Sequence, residues 1–421
     1  MKVARGLADA RGAARLAVQA TTGLTDLVEA VHQRIARVPG WPPATGPAAA
    51  RTRGITGFVY RSVRGVTRLV GGSVDGLLNL LALALVQPPG AVVDELASSP
   101  ERQAVLAALN GVLGDHLAAT HNPLALPLCL RHQGRVLTLT AEGLASGVPE
   151  PTGRLLVLLH GLCMGPSQWR REGHDHGDML VAEGSYTAVH VHYNTGLHIG
   201  DNGAALALQL DALLSHWPCP LQRVVLLGHS MGGLLARSAL FQGGAAGQAW
   251  PARVTDLVSL GTPHHGAPLE RAGHGLERLL AHTPYLSTYT APFLRLTQIR
   301  SAGITDLRHG AVLKAESGAK LGAGKAEAPD SAGPPLPPLP PLPPGLRARA
   351  VAGVLGQTPG ALKSVVLGDG LVPLASALGR HSDPARCLAF APGDQWVGQN
   401  LGHLDLLNRS DVADVLRRWL V

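Results

Sequence analysis

The sequence predicts an α/β protein in which a mostly parallel sheet is covered by helices on both faces and is preceded by a helical region. From about residue 130 onward, short apolar runs such as residues 154–160 and 224–227 alternate with segments of helical periodicity. Strands that are apolar on both faces belong to parallel sheets that lie between two layers of helices. Before residue 125, by contrast, apolar residues recur at the spacing of a helix.

The alternation predicts individual elements in chain order. A half-buried strand is expected at residues 135–142, because apolar and polar residues alternate there. Apolar runs and alternating patterns predict further strands at residues 154–160, 186–193, 224–227, 254–260, 347–355 and 387–390. Helical spacing predicts one helix at residues 202–217, a second that begins directly after residue 230, and a third at residues 411–420. Ser410 is the expected cap of the third helix.

Residues 1–125 form the predicted helical N-terminal region. One helix has apolar residues at helical spacing from Leu24 to Ile35, and the last spans residues 100–117. Residues 1–80 carry eleven Lys and Arg against four Asp and Glu, so this stretch holds an excess equal to the net charge of +7. A basic amphipathic segment indicates either contact with an anionic membrane surface or a solvated helix face. We expect no nucleic-acid partner.

The composition excludes a disordered chain and favours a reducing compartment. Apolar residues make up 46% of the chain and charged residues 15%, and the four cysteines lack the spacing of a disulfide framework. The most apolar run, residues 76–87, is too short for a membrane span, which needs about twenty residues. Residues 1–20 carry charges throughout and do not resemble a signal peptide. We therefore expect a cytoplasmic protein, with peripheral membrane association as the further option.

Residues 126–421 form the predicted catalytic domain, which one insertion interrupts. Residues 314–345 run through Gly, Ala and Lys into PPLPPLPPLPP, a sequence that cannot pair in a sheet. Such a run forms a stiff polyproline II segment. It is either a spacer or a ligand for a domain of the SH3 type, and it lies between two predicted core strands.

The stretch G-H-S-M-G-G at residues 228–233 predicts a sharp turn between a strand and a helix. Gly228 and Gly232 leave room where a Cβ would collide with neighbouring backbone. Ser230 is then held clear of the sheet, beside the N–H of Met231 and the positive end of the following helix. This arrangement suits a serine that attacks a carbonyl carbon.

Over about residues 130–421 the chain resembles the α/β-hydrolase family, and within it the bacterial lipases and esterases. The resemblance rests on motifs in the family's order: L-L-H-G-L at 158–162, G-H-S-M-G-G at 228–233, L-G-T-P-H-H-G-A-P at 260–268, G-D-G-L-V-P at 368–373 and L-G-H-L-D-L-L at 401–407. It implies the α/β-hydrolase fold, a cap over residues 263–310, and chemistry that needs no cofactor.

The family order of nucleophile, acid and histidine fits Ser230, Asp369 and His403. An imidazole with a pKa near 6.5 can take the serine proton, and a carboxylate fixes its tautomer. Asp369 and His403 also have structural explanations, as a turn residue and as a residue near the last helix. The competing candidates, which fit the family order less well, are His381, Asp256, Asp405 and Asp306.

An oxyanion hole needs two N–H groups, because the negative charge that develops on the substrate oxygen must be stabilised. The resemblance implies the backbone N–H groups of Leu162 and Met231. His160, Gly161 and His229 are expected to support them. The histidine-rich stretch at residues 174–178 lacks the ligand spacing of a defined metal motif, so no metal is predicted.

Together these features predict a serine hydrolase that cleaves carboxylic acyl esters, with an acyl ester or a lipid as its substrate. The same triad could serve a polyhydroxyalkanoate depolymerase, a lipid-anchor deacylase or an acyltransferase. An alternative of another class is a non-catalytic scaffold that keeps the fold and binds partners through its proline-rich and helical segments.

Overall fold

The structure, a computed structural model, describes residues 11, 12, 15, 100–267, 301–313, 340–356 and 368–421. The chain divides into two units, Met1–Val92 with Ala119–Ala125, and Val93–Ala118 with Leu126–Val421. In the first unit, the Asn122 side chain donates a hydrogen bond of 3.1 Å to the Gly12 carbonyl. The other predicted N-terminal helices and most of the predicted cap lie outside the described residues, and the domain boundary at residue 125 stays a prediction.

One sheet organises the described part of the second unit. Its strands are β1 (Cys129–His132), β2 (Arg135–Val136), β3 (Arg154–Leu159), β4 (Thr187–His192), β5 (Arg223–His229), β6 (Asp256–Leu260), β7 (Arg347–Val354) and β8 (Gln395–Gln399). Their order is β2-β1-β4-β3-β5-β6-β7-β8. All neighbours from β4 to β8 are parallel, whereas β1 is antiparallel to β2 and to β4. The prediction of a mostly parallel sheet is confirmed.

Helices cover both faces of this sheet. Those described are α1 (Pro100–Ala119), α2 (Ala141–Gly147), α3 (His176–Gly184), α4 (Ile199–Ser215), α5 (Met231–Ala245), α6 (Ala302–His309), α7 (Leu374–Ala377) and α8 (Ser410–Leu420). Leu156 and Leu158 of β3 share a core cluster with residues of α3 and α8. Leu155 and Val157, which point to the opposite face, are equally buried, and α5 packs against β5, β6 and α4. No helix in the described ranges is long and apolar enough to span a membrane.

The strand predicted at residues 135–142 is shorter than expected. Strand β2 ends at Val136, and helix α2 begins at Ala141. The Thr140 hydroxyl accepts a hydrogen bond of 3.1 Å from the Gly143 N–H, which makes Thr140 the cap of this helix. A threonine at this position satisfies a free N–H at the start of a helix. The residues from Thr140 onward therefore belong to the helix and not to the predicted strand.

The last strand also differs from its prediction. Residues 387–390 are not a strand, and β8 (Gln395–Gln399) instead pairs with β7 at the edge of the sheet. Its sequence, QWVGQ, has a glutamine at each end and only intermediate burial at its first three positions. A strand at a sheet edge is half solvated, so it lacks the apolar run that marks the inner strands.

The amino ends of the inner strands are held by buried charges. Asp256, at the start of β6, accepts hydrogen bonds from Arg223 over 3.0 Å and from Arg349 over 2.6 Å. Arg349 also donates to Asp394 over 3.1 Å. Since ligands bind at the carboxyl ends of parallel strands, this cluster lies at the end of the sheet opposite the candidate site. Asp256 therefore has a structural role.

Candidate active site

Ser230 lies in the turn that joins β5 to α5. Its backbone has φ 54° and ψ −121°, a strained conformation for a residue with a side chain. A Cβ on Gly228 would lie 2.5 Å from the Gly233 nitrogen, and one on Gly232 would meet the Leu159 carbonyl oxygen. Only glycine fits at these two positions, as the sequence predicted. The turn is fixed to the next strand by the Ser230 N–H, which donates to the Leu260 carbonyl over 2.8 Å.

His403 and Asp369 are joined by two hydrogen bonds. The His403 Nδ1 lies 2.7 Å from the Asp369 Oδ2, and the His403 backbone N–H donates to the Asp369 carbonyl over 3.0 Å. The other carboxylate oxygen, Oδ1, accepts from the N–H groups of Leu371 and Val372 over 3.0 and 2.8 Å. These contacts make Nδ1 the protonated nitrogen of the imidazole and leave Nε2 as the acceptor.

Ser230 and His403 line one cavity. Its lining is mostly apolar and comprises Gly161, Leu162, Met164, His229, Ser230, Pro263, Ala267, Leu307, Leu371, Val372 and His403. Within the described ranges no hydrogen bond joins the Ser230 hydroxyl to His403. Catalytic hydrogen bonds often tighten only when substrate binds.

Of the two expected oxyanion donors, Leu162 lines the same cavity, and Met231 directly follows Ser230 in the chain. A Cβ on Gly161 would lie 3.1 Å from the Ser230 Cβ, so the turn that carries Leu162 lies directly against the serine. The Met231 N–H is the first of helix α5, where backbone N–H groups have no partner within the helix. Neither the Leu162 nor the Met231 N–H donates to a described residue.

Buried histidines hold the loop that carries His403. The His229 Nε2 lies 3.1 Å from the His403 carbonyl, and the His176 Nε2 lies 3.0 Å from the Leu406 carbonyl. Both Nε2 atoms are therefore donors. Burial lowers the pKa of His176 to about 4 and that of His229 well below its ordinary value, so both rings are neutral at neutral pH.

His160 packs inside the turn formed by residues 160–163, the oxyanion turn, which carries the Leu162 N–H. Its ring is stacked on Tyr193 with centroids 4.4 Å apart, and its Nδ1 lies 3.0 Å from the Gly161 carbonyl. Burial lowers the pKa of His160 to about 3, so the ring is neutral and transfers no proton at neutral pH. Cys163, which follows Leu162 in the same turn, is not an alternative nucleophile, because burial raises the pKa of its thiol to about 12.

The competing candidates make other contacts. Asp405 accepts from the Gly402 N–H over 2.8 Å, and Asp306 accepts from the Ile199 N–H over 2.8 Å. His381 packs against His265, with ring centroids 5.1 Å apart. Among the described carboxylates, Asp369 alone is hydrogen-bonded to His403. No group of three or more His, Cys, Asp or Glu side chains in the described ranges is arranged to hold a metal.

Gly261 is a site residue that the sequence did not single out. It has φ +57°, and a Cβ there would lie 3.0 Å from the Asp369 Oδ2 and 3.2 Å from the His403 Cε1. A side chain on the residue directly after β6 would therefore crowd the Asp369–His403 pair, and its Cβ would also lie 2.7 Å from the Leu406 Cδ1. The only sequence signal is its place in the L-G-T-P motif at residues 260–263.

Gly261→Ala is expected to lower ester turnover by about tenfold or more, because small displacements of catalytic groups are costly. The unfolding free energy should fall by about 1–3 kcal/mol, as the new methyl group strains the backbone and displaces Asp369. Gly247→Ala is the matched control, since Gly247 has φ +70° and nothing within 4 Å of the added Cβ. Equal activities of the two variants, measured with one ester, would contradict this role for Gly261.

Buried neutral histidines predict that the fold loses stability in acid. Burial lowers the pKa of His160 and His192 to about 3 and that of His176 to about 4. The unfolded chain binds protons near pH 6.5, so the stabilisation from these groups is complete above that pH and is lost as the pH falls toward 4. Urea unfolding between pH 8 and pH 5 should show this decline. A flat profile would contradict the neutral assignment, and His192→Phe should make the profile shallower.

Comparison with known proteins adds a partial match. Residues 205–320 match the family model described as a PGAP1-like alpha/beta domain. No curated protein matches the chain. The chain is also similar to solved structures, among them the mature lipase BlEst2 of Bacillus licheniformis, with 19% identity over 65% of this chain and 95% of that one and a TM-score of 0.41.

Two further structures have lower scores. The esterase PF2001 of Pyrococcus furiosus is 15% identical over 64% of this chain and 83% of its own, with a TM-score of 0.34. A lipase-esterase related protein of Clostridium acetobutylicum is 12% identical over 64% and 95% of the two chains, also with a TM-score of 0.34. The parallel sheet, its helices and the ordered motifs agree with the PGAP1-like match at residues 205–320. The described part of the second unit therefore has the α/β-hydrolase fold, and residues 205–320 are similar to a PGAP1-like alpha/beta domain.

Proposed function

We propose that the protein is a serine hydrolase that cleaves carboxylic esters through a covalent acyl-enzyme. The observation that carries the proposal is the Asp369–His403 hydrogen bond of 2.7 Å at a cavity that Ser230 also lines. A carboxylate bound to an imidazole beside a serine in a strand-to-helix turn is the arrangement that activates a hydroxyl. The hydrolase fold agrees with this chemistry but does not specify the ester.

In the first half of the reaction, the Ser230 Oγ attacks the ester carbonyl while His403 Nε2 takes its proton. The N–H groups of Leu162 and Met231 stabilise the oxyanion, and Asp369 stabilises the imidazolium. His403 then protonates the leaving alcohol. In the second half, His403 activates water, which attacks the acyl-enzyme, and the acid leaves as Ser230 regains its proton.

The lining of the cavity supports an acyl group as the part of the substrate that lies beside Ser230. Leu162, Met164, Leu307, Leu371 and Val372 supply apolar side chains, and no described acidic or basic side chain other than histidine borders the cavity. An apolar wall excludes charged acyl groups, because burying an unpaired charge is costly. A lipid or a simple acyl ester fits this lining.

A series of p-nitrophenyl esters from acetate to palmitate tests the proposal. The purified protein should hydrolyse at least one of them with saturation kinetics, and kcat/KM should have an optimum along the series. An acyltransferase on the same residues would instead transfer the acyl group to an added alcohol faster than to water. Absence of turnover and of transfer across the series would reject a catalytic role for acyl esters.

A further inference from the structure

The segment that follows strand β4 contacts the oxyanion turn at two points. The Tyr193 hydroxyl donates to the His160 carbonyl over 2.8 Å, and the Thr195 hydroxyl accepts from the Cys163 N–H over 3.2 Å. Tyr193 and Thr195 are each 1% exposed, so both hydroxyls are shielded from water. Neither residue belongs to a motif on which the functional prediction rests.

These two hydrogen bonds fix the peptide planes on either side of the proposed oxyanion donor. Tyr193 holds the peptide between His160 and Gly161, and Thr195 holds the peptide between Leu162 and Cys163. A peptide is planar, so one hydrogen bond to its N–H or C=O restrains the whole unit. The only peptide between them joins Gly161 to Leu162 and carries the Leu162 N–H.

That central peptide is itself anchored through its carbonyl. The Gly161 oxygen accepts from the His160 Nδ1 over 3.0 Å and from the Met164 N–H over 3.3 Å. In a trans peptide the N–H points away from the C=O, so fixing the Gly161 oxygen directs the Leu162 N–H to the opposite side. Leu162 lines the cavity that Ser230 shares, and its N–H has no described acceptor.

The Thr195 hydrogen bond restrains Cys163 in an unfavourable backbone conformation. Cys163 has φ +59°, a left-handed conformation that is unfavourable for a residue with a side chain. Without the Thr195 hydroxyl, its buried N–H would lose its acceptor, and the Leu162–Cys163 peptide could rotate toward a less strained conformation. Rotation of this peptide changes ψ at Leu162, and the turn that carries the Leu162 N–H would then shift relative to the oxyanion.

We propose that Tyr193 and Thr195 are positioning residues that hold the Leu162 N–H in place for the oxyanion. This inference rests on the proposed ester hydrolysis and goes beyond it, because both residues act through the backbone and touch neither the serine nor the histidine. A donor that is misplaced weakens binding of the transition state more than binding of the ester itself.

Thr195→Val removes the hydroxyl and keeps the shape of the side chain. It should lower kcat by about tenfold, less than the hundredfold or more that follows loss of an oxyanion donor, with KM nearly unchanged. Thr195→Ser keeps the hydroxyl and should stay close to wild type. Affinity for an aryl boronic acid, which forms a tetrahedral adduct with serine, should fall with kcat in Thr195→Val.

Thr187→Val is the matched control. Thr187 is a buried threonine at the start of β4, and its hydroxyl accepts from the Thr152 N–H over 2.9 Å and lies 3.1 Å from the Thr152 hydroxyl, so the same change removes hydrogen bonds at the amino end of β4. It should reproduce any loss of thermal stability and retain kcat. Tyr193→Phe, a second isosteric change, should lower kcat in the same way and replaces Thr195→Val if that variant does not fold.

The outcomes separate the two proposals. If the wild type and Thr187→Val hydrolyse esters while Thr195→Val and Tyr193→Phe match them in kcat, the positioning role is wrong and the hydrolase stands. Equal losses in Thr195→Val and Thr195→Ser would also overturn it, because a variant that keeps the hydroxyl would then be as impaired as one that lacks it. If the wild type hydrolyses no ester, the proposed function fails and this inference fails with it.

Discussion

Ser230→Ala is expected to lower ester turnover by about 10⁶-fold, the loss seen when a triad nucleophile is removed. The physical reason is that no other described nucleophile lines the cavity with His403, and the Cys163 thiol is protonated at neutral pH. The variant should remain folded, because the Ser230 hydroxyl makes no hydrogen bond within the described ranges. Turnover is measured with the best p-nitrophenyl ester, and folding by circular dichroism and thermal unfolding.

Ser238→Ala provides the control for this change. Ser238 is fully buried in the same helix, and its hydroxyl accepts from the Gln242 side chain over 2.9 Å, so the variant loses one hydroxyl away from the cavity. It should keep turnover within about twofold, as expected of a change that touches no reacting group. Retained activity in Ser230→Ala would reject Ser230 as the nucleophile.

Asp369→Asn is expected to lower kcat by about 10⁴-fold while the loop keeps its geometry. The Asp369 Oδ1 already accepts two backbone N–H groups, from Leu371 and Val372. The amide oxygen of asparagine would take over that position, and the NH₂ group would face the His403 Nδ1. The imidazole would then carry its proton on Nε2, where it cannot accept the proton of Ser230.

The competing acid serves as the comparison for this variant. Asp405→Asn alters a carboxylate two residues from His403, and the new side chain can still accept from the Gly402 N–H. We expect its kcat to stay within about threefold of wild type, because it removes a charge but no hydrogen bond to the imidazole. A larger loss in Asp405→Asn than in Asp369→Asn would reverse the assignment of the acid.

The inner part of the fold was predictable because its signals are local. Strands β3, β5 and β6 are runs of apolar residues buried on both faces, and the Ser230 turn is marked by glycines at close backbone contacts. The edge strands were not predictable in the same way. Strand β8 is half solvated and ends in glutamines, and β1 is set by antiparallel pairing with the distant strand β4.

The residues of the candidate site also differ in whether a sequence pattern identifies them. The glycine pattern marked Ser230, and motif order together with a resemblance to a known family selected Asp369 and His403, whose contact spans 34 positions in the chain. The contacts of Gly261, Tyr193 and Thr195 are set by approach in space, because each touches a segment that is distant in sequence. No local pattern encodes such a contact, so only the structure identifies these residues.

Labelling with a fluorophosphonate probe, followed by peptide mapping, tests the central claim most directly. The probe reacts with a serine only when a base and an oxyanion hole activate it. The account predicts modification at one residue, Ser230, at a rate that Asp369→Asn lowers sharply and Asp405→Asn does not. A folded protein that stays unlabelled at Ser230, or that is labelled at another residue, would contradict it.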